Sequence, residues 1–307
     1  MSNKSSKYQY ILITGEMRSG TTFLANLLNT QANMMVYSDI LLSLFMVGKA
    51  RGITDLHAPL SETDKNLLIS NLNPEGFAMD LTFDDLRNAE SWMDLFKRSM
   101  DRLTEAEGGQ ADLTHVGIKK TNEQVYLNGI LDGGIKVIYV VRDPRDVMLS
   151  NKNRHVDHDI YSFADRLKEN LKVARDLESH PNLMVLRYHE LILEKETAQK
   201  ALEAFLNTKL DFGVEELTMR KDIKYRDNSS FGDVKKLFDP KAVGRWENKK
   251  DEEEVIFSNS FFKEELQWMN LKIDESMDRV KTARLMKGYQ KRARKNKLKA
   301  FAKKLIR

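Results

Sequence analysis

Apolar and polar positions alternate in two registers along the chain. Tyr8 to Thr14 (YQYILIT), Met34 to Tyr37, His115 to Lys120 (HVGIKK), Ile135 to Val141 (IKVIYVV) and Leu183 to Leu186 are short apolar runs of strand length. The fourth is apolar at nearly every position, which predicts a central strand of a parallel sheet covered on both faces. Between these runs the spacing becomes helical. Phe23, Leu24, Leu27 and Leu28 follow the first strand, and Ile40 to Val47 follow the second. Trp92, Leu95, Phe96, Met100 and Leu103 trace a helix ending at Gly108-Gly109. Phe163, Leu167, Leu171, Ala174 and Leu177 trace another. Ala198, Ala201, Leu202, Phe205 and Leu206 continue the series, and Glu252 to Trp268 is helical again. Ser61-x-x-Asp64 has the form of a capping box, with Asn73-Pro74-Glu75-Gly76 as a break. Tyr225 to Lys250 is polar and predicts a long surface loop. Strands alternating with helices predict an α/β fold with a doubly wound parallel sheet, and ligands in such sheets bind beyond the carboxyl ends of the strands.

Charge divides the chain. The total is +4, yet Lys281 to Arg307 carries twelve Lys or Arg and no Asp or Glu, so subtracting those twelve leaves −8 for the preceding 280 residues. Residues 1–275 are expected to form the α/β domain and residues 276–307 a basic helical tail. Leu298, Phe301, Ala302 and Leu305 fall on one face of that tail, as in a helix lying on an anionic membrane surface. A solvated charge run, or a helix packed on a neighbouring subunit, competes with that reading. An acidic globular part argues against specific nucleic-acid binding. The 307 residues contain no cysteine, the start lacks the apolar core of a signal peptide, and no run reaches the length of a membrane span. A cytoplasmic protein is expected, with peripheral contact at the inner membrane face through residues 281–307.

The chemistry concentrates in two stretches. Gly15 to Thr22 (GEMRSGTT) joins the first strand to the first helix, an arrangement whose backbone N–H groups converge on an anion. The spacing is that of a Walker A loop, but Thr21 stands where the lysine belongs, and Arg18 is the nearest cation. This weakens the reading as a nucleotide or small-molecule kinase, as does the lack of an acidic Walker B strand end. The second stretch, Val140 to Lys152 (VVRDPRDVMLSNK), ends a strand in Arg142, turns at Asp143-Pro144 and reaches Ser150 eight positions on. A guanidinium and a hydroxyl so placed can clamp a second phosphate, although alone the pattern better suits an ordinary salt-bridged helix start.

Together these stretches resemble the sulfotransferases that use 3′-phosphoadenosine 5′-phosphosulfate (PAPS). RSGTT matches their 5′-phosphosulfate loop, and Arg142, Asp143-Pro144 and Ser150 match their 3′-phosphate motif. Leu186-Arg187-Tyr188-His189-Glu190-Leu191 is similar to the family's R-Y-E-D-L stretch. Val243 to Asn248 (VGRWEN) is similar to its late G-x-W segment. The resemblance implies a three-layer P-loop-like fold with a central parallel sheet flanked by helices, and sulfuryl transfer to a hydroxyl of a carbohydrate or lipid-linked glycan. It implies PAPS as donor, 3′,5′-bisphosphoadenosine (PAP) as product, and no metal requirement. By the same resemblance Arg18, Ser19, Gly20, Thr21 and Thr22 hold the 5′-phosphosulfate, with Phe23 against adenine. Arg142 and Ser150 hold the 3′-phosphate, and Tyr188 contacts adenine. Cytosolic members carry Arg-Lys-Gly where this chain has Asp239-Pro240-Lys241, which leaves Lys241 and Arg245 as candidates there. For catalysis the candidates are Arg18, Lys120 with its neighbour Lys119, and Asp39, which stands where carbohydrate-directed relatives carry a Glu. Capping of the next helix is the competing role for Asp39. His57, His115 and His155 lack motif context. A catalytically inactive nucleotide-binding scaffold, docked on membranes through its tail, is the third functional reading.

Overall fold

The computed structural model describes residues 7–71, 81–106, 112–153, 159–213 and 237–305. The expected breaks at Asn73 to Gly76 and Gly108-Gly109, and the first part of the polar loop, residues 225–236, lie outside the described residues. In chain order the elements open with β1 (Gln9–Gly15), α1 (Thr21–Leu28), β2 (Met34–Ser38), α2 (Leu42–Ala50) and α3 (Glu62–Ser70). They continue with α4 (Phe83–Asn88), α5 (Trp92–Ala106), β3 (His115–Lys119), α6 (Leu127–Asp132), β4 (Lys136–Val141) and α7 (Pro144–Lys152). After these come α8 (Ile160–Asp176), β5 (Leu183–Arg187), α9 (Tyr188–Leu193), α10 (Lys195–Leu206), α11 (Glu253–Phe261), α12 (Lys263–Trp268) and α13 (Arg279–Leu305).

Among the described residues the strands form one five-stranded parallel sheet in the order β2-β3-β1-β4-β5. Because side chains alternate across a strand, β1 supplies Tyr10 and Leu12 to one face and Ile11 and Ile13 to the other. β4 divides likewise, Val137, Tyr139 and Val141 against Ile138 and Val140. The first face packs against α2 to α8 and α11 to α13, and the second against α1, α9 and α10. This is the three-layer arrangement expected, with β4 paired on both edges and β1 at the centre.

Local chemistry sets the element boundaries. Ser61 caps α3 by accepting from the Asp64 backbone N–H at 3.1 Å, but Asp64 answers the Ser61 hydroxyl instead of its N–H, so only half the box closes. The reciprocal box forms instead at Thr82 and Asp85. α2 starts at Leu42, two residues later than its apolar run, because Asp39 and Leu41 take left-handed conformations (φ 54° and 51°). The helix expected over Glu252 to Trp268 is two helices, broken at Phe262.

The first half of the basic tail helix belongs to this packing. Leu285 is buried, Tyr289 donates to Asp165, Arg292 engages Asp159 and Ser162, and Arg284 pairs with Glu253. Gly288 lets the helix come close, since a Cβ there would meet the Tyr161 hydroxyl at 2.5 Å. From Arg294 to Lys299 every side chain is exposed, Leu298 by 69%. Among the described residues no helix is long and apolar enough to cross a membrane.

Candidate functional site

The sheet order decides what can meet. β1 lies between β3 and β4, with Ile13 opposite Lys119 and Gly15 opposite Val140. The loop after β1, the lysines ending β3 and the arginine following β4 are therefore on adjacent strands, about 5 Å apart.

The loop winds tightly. Arg18 (φ 73°) and Gly20 (φ 105°) are left-handed, and the Ser19 N–H returns to the Glu16 carbonyl at 3.2 Å. Gly20 is the N-cap of α1 and offers no capping side chain, so the first-turn N–H groups remain for an anion. A Cβ on Gly20 would sit 2.3 Å from Tyr188 Cδ2. Thr21 is buried at the start of α1 and Thr22 is half-buried. The Ser19 hydroxyl and the Thr14 hydroxyl are buried without a partner among the described residues.

Arg142 joins the loop to the rest. Its Nη1 donates to the Arg18 carbonyl at 3.2 Å, and its Nη2 donates to the Ala242 carbonyl at 2.7 Å and lies 3.4 Å from Asp146. The guanidinium is stacked 4.8 Å above the Tyr188 ring, and its Nε is buried without a partner among the described residues. Ser150, two turns along α7, accepts from Arg18 Nε at 2.8 Å. The two expected anion pockets thus share Arg18. Asp143 caps α7 as its sequence suggests, accepting from Arg145 N, and also forms a two-pronged ion pair with the buried Arg145 guanidinium. Burial pushes the Asp146 carboxyl and the Tyr188 phenol above their usual ranges.

The adenine candidates sit together. Phe23 is buried and meets Tyr188 edge-on at 6.3 Å and Phe238 at 5.5 Å. Arg245 is exposed but near enough for its charge to favour ionisation of Tyr188, and Lys241 is exposed as well. The late segment is held by Asp146, which accepts from Gly244 N at 3.1 Å and Trp246 N at 3.0 Å. Trp246 is buried under Arg145, 3.7 Å from its ring centroid.

At the β2–β3 end, Lys119 Nζ donates to Asp39 at 2.6 Å, and the Asp39 N–H donates to the Lys119 carbonyl at 2.9 Å. The Asp39 carboxylate is half-exposed. It does not cap α2, whose N-cap is Leu41 with no side-chain bond. Lys120 is buried, and burial pulls its ammonium below the usual lysine range. Arg187, also at a strand end, is taken up by Glu178 and the Trp268 carbonyl. His115 is buried, with Nε2 3.0 Å from the Leu206 carbonyl; a carbonyl can only accept, so Nε2 carries the proton of a neutral ring. His57 is exposed, and His155 lies outside the described residues.

Several residues were missed by sequence reasoning. Glu16, inside the loop, is buried and takes bonds from Asn170 at 2.5 Å, from Arg166 and from its neighbour Met17 N–H. Asp146, Phe238 and Glu123 were also missed. Their partners are distant in sequence, or in the case of Glu123 only make sense once the turn after β3 is seen, so no local pattern marks them.

The sulfotransferase-domain family model matches residues 9–270. Among solved structures, the chain is similar to the sulfotransferase domain from the curacin biosynthetic pathway, with 16% identity, a TM-score of 0.54, and 87% of this chain and 99% of that one covered. It is also similar to the sulfotransferase domain of the Synechococcus PCC 7002 olefin synthase, at 14% identity and TM-score 0.51, covering 94% and 98%. A mouse sulfotransferase complexed with PAP aligns at 14% identity and TM-score 0.46, covering 84% of each chain. The first two likenesses speak for the fold. No curated protein sequence matches.

The Gly20 geometry makes a stability prediction. Gly20→Ala should lower the unfolding free energy by more than Gly52→Ala, whose φ of +68° is similarly left-handed but whose Cβ would meet nothing within 4 Å. The backbone cost alone is about 1–3 kcal/mol. Urea denaturation of the two variants measures the difference, and equal losses would mean that Tyr188 does not close against the loop.

Proposed function

The chain belongs to the sulfotransferase-domain family, and from that premise we propose that it transfers a sulfuryl group from PAPS to a hydroxyl of a carbohydrate or lipid-linked glycan. The observation that carries the donor reading is the contact between Arg142 and the first loop: Arg142 Nη1 donates to the Arg18 carbonyl at 3.2 Å, so the two anion-binding stretches adjoin. The residues present suit a doubly phosphorylated adenylate. The unpartnered Arg142 Nε and Ser19 hydroxyl, both buried, gain acceptors when phosphate oxygens arrive. Phe23 and Tyr188 offer aromatic surface beside the loop and Arg142.

Bound PAPS supplies an activated sulfuryl group on a phosphate leaving group. Transfer breaks the S–O bond to that phosphate and forms one to the acceptor oxygen, so negative charge grows on the phosphate side while the acceptor must lose a proton. The loop N–H groups and Arg18 balance the leaving charge, and Lys120 brings a cation to the same end of the sheet. Arg142 and Ser150 anchor the 3′-phosphate, with Arg245 beside Tyr188 as a further cation at that station.

Asp39 is proposed as the base. Its support is conformational: left-handed geometry at both Asp39 and Leu41, costly for residues with a side chain, turns the carboxylate over the end of β3, where Lys119 holds it half-exposed. Retention of that geometry suits a carboxylate needed at the site more than one capping a helix. A carbohydrate acceptor follows the resemblance, in which many bacterial and carbohydrate-directed sulfotransferases carry a Glu at this place.

The tail is proposed to touch an anionic membrane face. Its support is the exposed basic stretch from Arg294, beyond the half of α13 that packs on the domain.

Three outcomes are expected. PAP at a hundredfold excess over Kd should stabilise the protein by about 2.7 kcal/mol in a thermal melt; stabilisation by Mg-ATP instead would return the kinase reading, and by neither the scaffold reading. Asp39→Ala should abolish sulfuryl transfer, followed with labelled PAPS and a glycan panel, while leaving the PAP stabilisation intact; near-normal transfer removes Asp39 from the mechanism. Truncation after Ala293, which spares Leu285, Tyr289 and Arg292, should abolish pelleting with phosphatidylserine vesicles at low salt. Equal pelleting with and without the segment rules out this contact.

A further inference from the structure

Lys120 carries a charge into a place that does not welcome one. It is 8% exposed, and apart from the face of the buried Phe45 ring, 5.1 Å from its Nζ and weakly favourable to a cation, burial governs its charge. A lysine in such surroundings tends to give up its proton, because burial penalises the charged form. Yet the proposed role at the reacting end of the donor requires an ammonium: a neutral amine offers little to a developing negative charge.

The turn after β3 supplies an answer. Asn122 is left-handed (φ 63°), and its N–H donates to the Gly15 carbonyl at 3.2 Å, so the turn is fastened to the first residue of the donor loop. The reversal folds Glu123 back beside Lys120, with Oε1 3.9 Å from its Nζ. Glu123 is itself 2% exposed, deeper than the lysine, which is no place for a carboxylate without a function or a partner. Its other oxygen is 3.0 Å from Lys49 Nζ, reaching across from α2, and the same Nζ donates to the Asn122 carbonyl at 2.9 Å. A half-exposed lysine thus holds a buried carboxylate, which in turn faces a buried lysine.

We propose that Glu123 is a positioning residue for sulfuryl transfer: its carboxylate, steadied by Lys49, fixes the Lys120 side chain at the carboxyl end of β3 and keeps it charged beside the transferring group. This rests on the donor reading above. All the charged groups facing Lys120 enter the balance. Glu123 and Asp39 favour its ammonium, while Lys49, Lys119 and the burial itself oppose it. Glu123 in turn is pushed above the ordinary carboxylate range by burial and by Asp39, and brought down by Lys49 and Lys120. Tyr126, at the end of the same turn, is raised by burial and by Glu123, and so stays a neutral phenol. Of the groups favouring the charged lysine, Glu123 is the larger influence and the one with no route to solvent.

The test needs no acceptor. PAPS carries the sulfuryl group and PAP lacks it, so the dependence of each Kd on pH, measured by calorimetry from pH 6 upward, isolates the lysine's contact with that group. In the wild type, PAPS binding should weaken at high pH as Lys120 loses its proton. In Glu123→Gln that weakening should begin at least about one pH unit lower, which is about tenfold in affinity on the basic limb. Lys49→Met takes away the cation that steadies the Glu123 carboxylate and should move the PAPS limb the same way, by less. PAP should show the same profile in all three proteins. Superimposable PAPS profiles for wild type and Glu123→Gln overturn the inference. So does a PAP profile that shifts with the PAPS one, since that would mark a structural change across the nucleotide site. If Glu123→Gln does not fold, Lys49→Met, altered at a half-exposed position, decides by itself: an unmoved PAPS limb overturns the proposal. Should the wild type bind neither nucleotide, the donor reading fails first and takes this one with it.

Discussion

The Arg142 guanidinium is the constraint through which the other parts of the site are related. It is nearly buried, so its charge must be met within the protein, and it is met from four elements at once. The donor loop gives the Arg18 carbonyl, α7 gives Asp146, the late segment gives the Ala242 carbonyl, and α9 gives the face of Tyr188. Truncating one partner of such an arrangement leaves the others around an uncompensated charge, which is far costlier than the pair is stabilising. Asp146 extends the same logic. Having one oxygen near Arg142, it uses its carboxylate to receive the N–H groups of Gly244 and Trp246, so the chain a hundred residues later is fixed by the acid that balances the arginine.

A second constraint comes from the loop's own acid. Glu16 sits within a segment meant to receive an anion, where an unpaired carboxylate would repel it. The chain avoids this by directing the side chain to α8, where Asn170 and Arg166 meet it. The bond from Met17 N–H to Glu16 also removes that donor from the nest, leaving the N–H groups further along for the ligand. Asn170 links this to the opposite side of the loop, for its carbonyl receives the Tyr139 hydroxyl, which receives Gln124. A buried chain of hydrogen bonds from the turn after β3 to the donor loop stiffens both, since each bond polarises the next.

Much of this was legible in the sequence, and the pattern of what was not is instructive. Strands announced themselves because β1 and β4 are buried on both faces, and the donor loop because its glycine and hydroxyl spacing is short-range. Asp143 reads as a helix cap for the same reason. Arg187 also ends a strand, and sequence alone gives no means of seeing that Glu178 and Trp268 draw it away from the site. The side chain of Asp39 reads as a cap, and only the backbone shows otherwise: a left-handed aspartate and leucine on either side of Ile40 have no composition signature, since neither residue type prefers φ near +50° strongly enough to declare it. Phe238 and Asp146 take much of their meaning from partners about a hundred or more residues away, or from a loop whose path no periodicity describes.

Placed against the sheet, these observations have a common cause. Parallel strands bring every carboxyl end to one edge, so loops that are remote in sequence are forced to share a small volume. At that edge the order β3-β1-β4 sets the lysine end, the donor loop and Arg142 side by side, and packing alone would bury several like charges together. The fold resolves the conflict by interleaving carboxylates: Asp39 with Lys119, Glu123 with Lys120 and Lys49, Glu16 with Arg166, Asp146 with Arg142. Three of these four acids, Glu16, Glu123 and Asp146, are buried. The loop N–H groups, and the buried Arg142 Nε and Ser19 hydroxyl that have no partner among the described residues, remain to meet an anion, although the charges at this edge are largely paired.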